Sequence, residues 1–492
     1  MQNQTYQIFD HFYIFSFDKE QTNPNKNPIS KLVKNIFSFP NLQKDEFQEK
    51  IKQFCYPNIS SIKNEQNQKS ENFTFVLTGG TGSRIYGITR RYQKKKSQEI
   101  ESMCFLTQLP LLNIFYEILN QIEMKEIQDS NSLLSLLTSL SNQPIPQPGE
   151  TLGFNFSNAK TGRNQEIKIQ RSDTLLGDID VSTIFTKLDS RLILCLFASL
   201  LFERRIIFIS SNIETISNII HASVSLLQPF QWHHVFIPIL PESLIDTACS
   251  PMPIIIGIHS NLVPIVDSLP LDEVVFVDLD KNSIEFDPAD IALIPSGRAT
   301  KLIKAMKKQQ TLFKKNKPCE FQLIIEEFVE FFITILQNYS SYINYNEHIK
   351  SHVFDVDTFI SEKKKQIKKF LEAFRHTQMF EVWCREREIM TSSGLNDQSK
   401  SSKKTEKNQG KRFGSFFSKK NKNKQDENQS QSKSLKTKIK EKFKNIRSKK
   451  NKESDQEISE KESDQEINQT KLNQEEINQN KLNQEEIKSK QI

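Results

Sequence analysis

Asp189-Ser190-Arg191 leads into Leu192-Ile193-Leu194-Cys195-Leu196-Phe197-Ala198-Ser199-Leu200-Leu201-Phe202, then Glu203-Arg204-Arg205, then Ile206-Ile207-Phe208-Ile209. The first run is apolar on all sides of a helical wheel, so it predicts a helix buried all round, with Asp189 or Ser190 as its N-cap. The charges end it. The four apolar residues that follow read as a strand covered on both faces. After the polar turn Ser210–Asn212, the residues Ile213, Ile216, Ile219, Ile220, Val224 and Leu227 fall on one stripe at helical spacing, and Pro229 stops that helix. Val235–Leu240 reads as the next strand, a short helix runs from Pro241 to about Cys249, and Ile254–Ile258 is a third strand. Strand, helix, strand, helix, strand is the signature of a parallel sheet with crossover helices.

The same block carries Leu201-Phe202-Glu203-Arg204-Arg205, Gln228-Pro229-Phe230-Gln231-Trp232-His233-His234, Ile237-Pro238-Ile239-Leu240-Pro241 and Ser250-Pro251-Met252-Pro253 before Ile256-Gly257. In that order these segments resemble the DENN-domain proteins. The stretch Cys249–Leu262, with its Pro-Met-Pro and Gly-Ile-His-Ser, is most similar to the connecdenn branch. The resemblance implies a longin-like N-terminal lobe, a central α/β DENN lobe with a parallel-sheet core, and C-terminal helices. It also implies guanine-nucleotide exchange on a Rab-family GTPase gripped by both lobes, in vesicle or endocytic membrane traffic. Two other readings stand beside it. Proteins such as folliculin carry related lobes and stimulate GTP hydrolysis, and an adaptor would bind a small GTPase without changing its nucleotide.

Outward from the centre, His11–Phe17 is aromatic and β-rich and reads as a first strand. Pro40, Phe47, Ile51 and Phe54 suggest a short helix before Cys55-Tyr56-Pro57. Phe73–Leu77 and Arg84–Arg91 read as strands joined by Gly79-Gly80-Thr81-Gly82. That cluster is hairpin chemistry, since glycine supplies the positive φ of a tight turn. It fails as a nucleotide loop: Ile85 stands where a dinucleotide fingerprint needs its third glycine, and Ile88 follows Gly87 where a P-loop needs lysine. Leu106–Leu119 reads as a helix interrupted early by Pro110.

Residues 126–180 form a connector, with Pro144, Pro146, Pro148, Gly149 and Gly153, and Asn155–Arg171 suggests a hairpin. Past the central block, Val274–Asp278 reads as a strand, Arg298–Phe313 as a basic helix, Phe321–Gln337 as an apolar one, and Asp357–Glu388 as one or two more. The division is therefore an upstream lobe over 1–125, the connector, a central lobe over 181–310, a downstream helical segment over 311–390 and a tail over 391–492. The tail is expected to be disordered.

No set of side chains reads as a catalytic or cofactor site. His233 and His234 are adjacent and on a strand would point to opposite faces, so they cannot grip one ion. Ser260 lacks a Gly-x-Ser-x-Gly elbow, and Cys195 lies inside an apolar helix where burial raises a thiol's pKa. Glu203, Arg204 and Arg205 are expected to cap carbonyls and pair locally. Neither a metal nor a cofactor is expected, and the residues that contact the GTPase are not identifiable in the sequence. An exchange factor works by differential binding, which needs shape and charge rather than a nucleophile.

The chain has 492 residues, 36% of them hydrophobic, enough for packed cores in part of it. Its six cysteines stand at least 49 residues apart, which matches neither a metal cluster nor a disulfide framework and fits a reduced, intracellular setting. Met1–Gln7 has no basic start and no apolar core, so no secretory signal is expected. The longest apolar run, eleven residues, is well short of the roughly 20 that span a bilayer.

The net charge of +7 is uneven, because residues 391–492 hold 25 basic and 16 acidic side chains while the first 390 sum to −2. Within the tail, 411–450 carries 15 basic and 3 acidic residues together with all four tail aromatics, Phe413, Phe416, Phe417 and Phe443. Lys411, Arg412, Lys419 and Lys420 bracket the first three, a basic-aromatic arrangement expected to hold an anionic membrane surface. Nucleic acid is not expected as a partner. Ser415 and Ser418 lie inside the cluster, where phosphorylation would oppose binding. The placement expected is cytoplasmic, peripheral on vesicle, endosomal or plasma membranes. Residues 452–492 repeat Lys-Glu-Ser-Asp-Gln-Glu-Ile and Lys-Leu-Asn-Gln-Glu-Glu-Ile at spacings that suit neither a heptad nor a solenoid.

Overall fold

Aromatic side chains alternate along the first strand, and that alternation builds a sheet with two buried faces. The computed structural model describes residues 7–17, 32–40, 46–62, 69–79, 82–94, 99–127, 129–158, 162–172 and 178–393. Strand β1 (His11–Phe17) sends Tyr13, Phe15 and Phe17 to one face and Phe12 and Ile14 to the other. With β2 (Val33–Phe39), β3 (Glu71–Thr78), β4 (Arg84–Gln93) and β5 (Ile100–Thr107) it forms an antiparallel sheet in the order β2-β1-β5-β4-β3. One face packs under α1 (Glu46–Cys55), through Ile51 and Phe54. The other packs under α2 (Leu112–Met124) and α3 (Ser130–Ser141), whose Leu133, Leu136, Leu137 and Leu140 make one apolar stripe. The hairpin of β6 (Thr151–Asn158) and β7 (Arg163–Gln170) joins this second core.

The expectation of a helix over Leu106–Leu119 is corrected here. Leu106 and Thr107 belong to β5, and the helix begins only at Leu112, because Pro110 cannot donate into a helical ladder and biases its predecessor away from helix. The glycine turn connects β3 to β4 as read: Gly82 sits at φ +81°, and its N–H donates to the Gly79 carbonyl at 2.9 Å. Strand β2 was not anticipated.

The central block folds nearly residue for residue as its pattern requires. After α4 (Ser182–Lys187), helix α5 (Ser190–Leu201) is buried over ten of its twelve residues and runs into β8 (Arg205–Ser210). Helix α6 (Ile213–Ser225) starts where the Asn212 side chain accepts from the Thr215 N–H at 2.7 Å. Next come β9 (Val235–Ile237), a 3-10 segment Glu242–Cys249, β10 (Ile254–His259) and β11 (Val274–Asp278). The four strands are parallel in the order β11-β8-β10-β9, with antiparallel β12 (Ser283–Glu285) on the edge. Strand β9 ends earlier than Leu240 because Pro238 has no N–H; pairing resumes once, from Leu240 N–H to the Gly257 carbonyl at 2.8 Å. Gly257 is required there. A Cβ would lie 2.2 Å from the Pro238 carbonyl oxygen and 2.3 Å from Ile216, so glycine lets α6 close onto the sheet.

Downstream, α7 (Pro288–Leu293), α8 (Ser296–Lys314), α9 (Gln322–Ile335), α10 (Val356–Ser361), α11 (Lys365–Phe374) and α12 (Gln378–Ser392) wrap the central core. A small hairpin, β13 (Ile343–Asn346) and β14 (Ser351–Phe354), was not anticipated. Phe197 of α5 is the hub of this packing. Its ring meets Phe328, Phe331 and Phe332 of α9 edge-on at centroid distances of 4.8, 5.4 and 5.9 Å.

Candidate functional site

Where the first sheet meets the central lobe, a serine takes the place of a neighbouring strand. Edge strand β3 lies against α6, and Ser217 Oγ accepts from the Thr74 N–H at 2.8 Å while its hydroxyl donates to the Thr74 carbonyl at 3.1 Å. Both residues are fully buried, so this satisfies two main-chain groups that would otherwise be orphaned. Thr74 Oγ1 also bonds the Tyr116 hydroxyl of α2 at 2.7 Å. Arg84 of β4 donates to the Trp232 carbonyl at 2.5 Å and lies 5.0 Å over the Phe236 ring. Gly87 of β4 makes room beside it, since a Cβ would collide with the Phe75 ring at 2.0 Å.

A second joint lies at the C-terminal ends of the parallel strands. The Glu242 N–H donates to the Pro57 carbonyl at 3.1 Å, Ser60 donates to the Glu242 carboxylate at 2.7 Å, Ser243 donates to Gln53 at 2.9 Å and Asn261 donates to Ser60 at 3.3 Å. His259 and Ser260 sit here, where α/β enzymes keep ligands. His259 is occupied internally: its Nε2–H donates to the Ser211 carbonyl at 3.0 Å, and Nδ1 accepts from the Asn261 N–H at 3.3 Å.

On the α2 side of the seam a cavity of about 170 Å³ opens, lined by Asn113 and Tyr116 of α2, Asp180, and Glu214, Asn218 and His221 of α6. Burial lowers the His221 pKa to about 4, with Arg84 adding to the effect, so the ring is neutral near pH 7. Burial and the nearby Glu71 raise the Glu214 carboxyl above its ordinary value.

The residues singled out in the sequence fall in separate places. Glu203 sits at φ +50°, the left-handed position of a Schellman turn that closes α5: the Arg204 N–H reaches the Ser199 carbonyl at 3.0 Å and the Glu203 N–H reaches Leu200 at 3.2 Å. Its carboxylate reaches far from α5, which corrects the local-pairing expectation. It accepts from the N–H groups of Gln378 and Met379 at 2.8 and 2.9 Å, capping α12, and meets His234 Nε2 at 3.0 Å. Burial pushes this carboxyl up, but His234 and the two amides outweigh it and hold it below its ordinary value. Arg204 pairs with Asp290 at 2.9 and 2.6 Å, whereas Arg205 donates to the carbonyls of Asp272 and Ala248. His233 and His234 precede β9 rather than lying on it. Cys195 is buried, and burial pushes its thiol up to about 11. Among the described residues no cluster of three or more His, Cys, Asp or Glu could hold a metal ion. Lys411, Arg412, Phe413, Phe416, Phe417, Lys419 and Lys420, with Ser415 and Ser418, lie outside the described residues. No helix among the described residues is long and apolar enough to cross a membrane.

Ser217 and Thr74 were not singled out by sequence reasoning. The only available signal was that Ser217 is a small polar residue next to Ile216 on an otherwise apolar stripe.

The architecture is a two-lobe α/β scaffold whose lobes are fastened by buried main-chain bonds, with Glu203, Arg204 and Arg205 committed to holding elements together. The sequence profile of the uDENN domain matches residues 34–92 and that of the DENN (AEX-3) domain matches residues 98–282, and the chain belongs to the DENN-domain family. DENN domain-containing protein 2B of Homo sapiens is 31% identical over 405 residues, covering 78% of this chain and 35% of that protein. The human protein 2A is 31% identical over 408 residues, with 78% and 40% covered. The human protein 1B is 28% identical over 377 residues, with 72% and 46% covered. The chain thus spans well under two thirds of the length of these curated relatives. The two matched segments meet between β4 and β5, inside a single sheet.

Proposed function

We propose that this protein promotes GDP release from a Rab-family small GTPase in vesicle or endocytic membrane traffic. DENN-domain proteins in general are Rab exchange factors, and the observation that carries the reading here is the doubly fastened seam. An exchange factor must hold the nucleotide-free GTPase better than the loaded one, and each tenfold in release requires about 1.4 kcal/mol of that difference. A surface that yields under load cannot deliver such a difference. Two lobes fixed through Ser217–Thr74 and through Ser60–Glu242 offer one composite face for a GTPase to span. In this reading residues 1–125 and 181–310 grip the GTPase, 126–180 connect them and 311–390 buttress the central lobe. The protein does no covalent chemistry of its own and uses no metal or cofactor. The basic-aromatic segment 411–450 of the tail holds the protein peripherally on an anionic membrane from the cytoplasmic side.

The test is fluorescent-GDP release from a panel of Rab proteins by the full chain, repeated with a chain ending at residue 393. Accelerated release from one Rab or a few, with the shortened chain equally active in solution, is the expected result. Acceleration of hydrolysis alone would replace the reading with a GTPase-activating one. Binding confined to the GTP form, without any change in nucleotide, would make the protein an adaptor.

A further inference from the structure

Helices α8 and α9 form an antiparallel hairpin, fixed in register by Lys301 pairing with Glu327 at 2.8 Å and by the Gln309 side chain accepting from the Glu320 N–H at 3.0 Å. Between Ser296 and Cys319 the sequence contains eight basic residues and no acidic one. The buried side of α8 is Leu302, Met306 and Gln309, and its outer side presents Lys304, Lys307 and Lys308. At its end the helix closes in a Schellman turn with Asn316 at φ +51°, the Lys317 N–H reaching the Leu312 carbonyl and the Asn316 N–H reaching Phe313, both at 2.9 Å. This turn fixes a tip on which Lys314, Lys315 and Lys317 are exposed, and among the described residues no carboxylate stands within ion-pair distance of them. Cations at a helix C-terminus complement its dipole, which accounts for lysines being tolerated there.

The dipole does not account for the apolar residues on the same tip. Phe313 is 47% exposed and Leu323, at the start of α9, is 42% exposed. Phe313 leans on Phe321 at 6.2 Å, and Phe321 stacks on Phe185 at 5.7 Å, so the protruding ring stands on a rigid aromatic base. We propose that the α8–α9 tip docks on an anionic lipid bilayer, with Phe313 and Leu323 entering the headgroup region and Lys314, Lys315 and Lys317 meeting lipid phosphates and carboxylates. A purely acidic surface would satisfy the lysines but would leave two large apolar groups, Phe313 and Leu323, in water. A bilayer accepts both, since lysine stems lie along apolar surface while their heads stay with the headgroups. This contact is on the folded body, separate from the tail segment, and does not depend on the exchange reading.

The test uses the full-length chain carrying Phe313→Trp, mixed with phosphatidylcholine vesicles with or without phosphatidylserine and containing brominated lipid. The two native tryptophans, Trp232 and Trp383, are buried and provide a constant background. Quenching of the added indole by phosphatidylserine vesicles, weakening with salt, is expected, because it reports the tip whether or not the tail also binds. Adding Lys314→Ala, Lys315→Ala and Lys317→Ala should weaken that quenching roughly 100-fold in lipid concentration, with the thermal transition unchanged. The proposal is overturned by an unquenched indole on vesicles that the chain binds, by equal quenching on neutral vesicles, or by tighter response to duplex DNA or to a peptide of residues 452–492 than to lipid.

Discussion

Replacing Ser217 with alanine removes one oxygen and orphans two buried main-chain groups on a strand 143 residues away in sequence. Each unsatisfied buried group costs about 1–3 kcal/mol. Tyr116, which lines the 170 Å³ seam cavity, already bonds Thr74, so a water entering from that side can satisfy one of the two. The expected loss is then about 2–3 kcal/mol, with almost none of it from lost apolar burial. Denaturant unfolding of wild type and Ser217→Ala measures the total. Hydrogen exchange localises it: the Thr74 amide should exchange roughly 30- to 150-fold faster, the factor corresponding to that loss. Ser223→Ala is the control. Ser223 is buried on the same helix, but its hydroxyl donates only to the Ile219 carbonyl of its own helix at 2.6 Å, so its removal should cost under about 1 kcal/mol and leave Thr74 protected. If Ser217→Ala costs less than about 0.5 kcal/mol and Thr74 protection is unchanged, the seam is not held as argued. The rigid-face basis of the proposed exchange activity would fall with it.

Three further outcomes follow from the packing. Phe197→Ala should destabilise by about 3–5 kcal/mol, toward the upper end because three edge-on ring contacts are lost together, and should appear as a lower thermal transition rather than as an isolated loss of GTPase binding. His221 should give acid sensitivity: its folded pKa of about 4 lies below the ordinary 6.5, so as pH falls from 6.5 to 4 the unfolded chain takes up a proton that the native state refuses. Stability falls across that window by about 3 kcal/mol, and His221→Gln should flatten this part of the pH–stability profile measured by urea unfolding. Finally, a fragment ending at residue 95 should fail to fold, because it lacks β5, the strand between β1 and β4, whereas one ending at residue 172 should give dispersed amide resonances.

The central lobe was legible because its burial is nearly complete. Along Leu192–Ile209 the hydropathy itself marks the helix and the strand, and the observed boundaries differ by one or two residues. Strand β2 was hidden by Lys34 and Asn35 on an edge strand that needs only one covered side. Strand β5 was hidden by Glu101 and Ser102, which sit fully inside the fold. Glu101 is tolerated there because the Tyr92 hydroxyl and Lys94 both reach it at 2.7 Å, a pairing made across the β4–β5 strand pair that the hydropathy pattern of β5 by itself does not register. Arg91 is a similar case, fully buried on Glu71 and Asn58. The seam was illegible for the same reason, since Ser217 gains its role only when β3 arrives beside it. The reach of Glu203 to α12 likewise spans 175 residues.

The order β2-β1-β5-β4-β3 has a consequence for how the chain is made. During synthesis the residues of β1 to β4 emerge first, and they offer two antiparallel pairs, β1 with β2 and β3 with β4, each with an inner edge that only β5 fills. The strand that joins them is last in sequence and middle in space. Until Ile100–Thr107 has left the ribosome, the inner edges of β1 and β4 stay unpaired and their aromatic faces stay wet, which is the condition in which strand edges attract other chains. Every residue of β5 is buried once it is in place. A nascent chain stalled before residue 100 would therefore present two sticky half-sheets to the cell. Chaperone capture, if it occurs, should be heaviest in that interval.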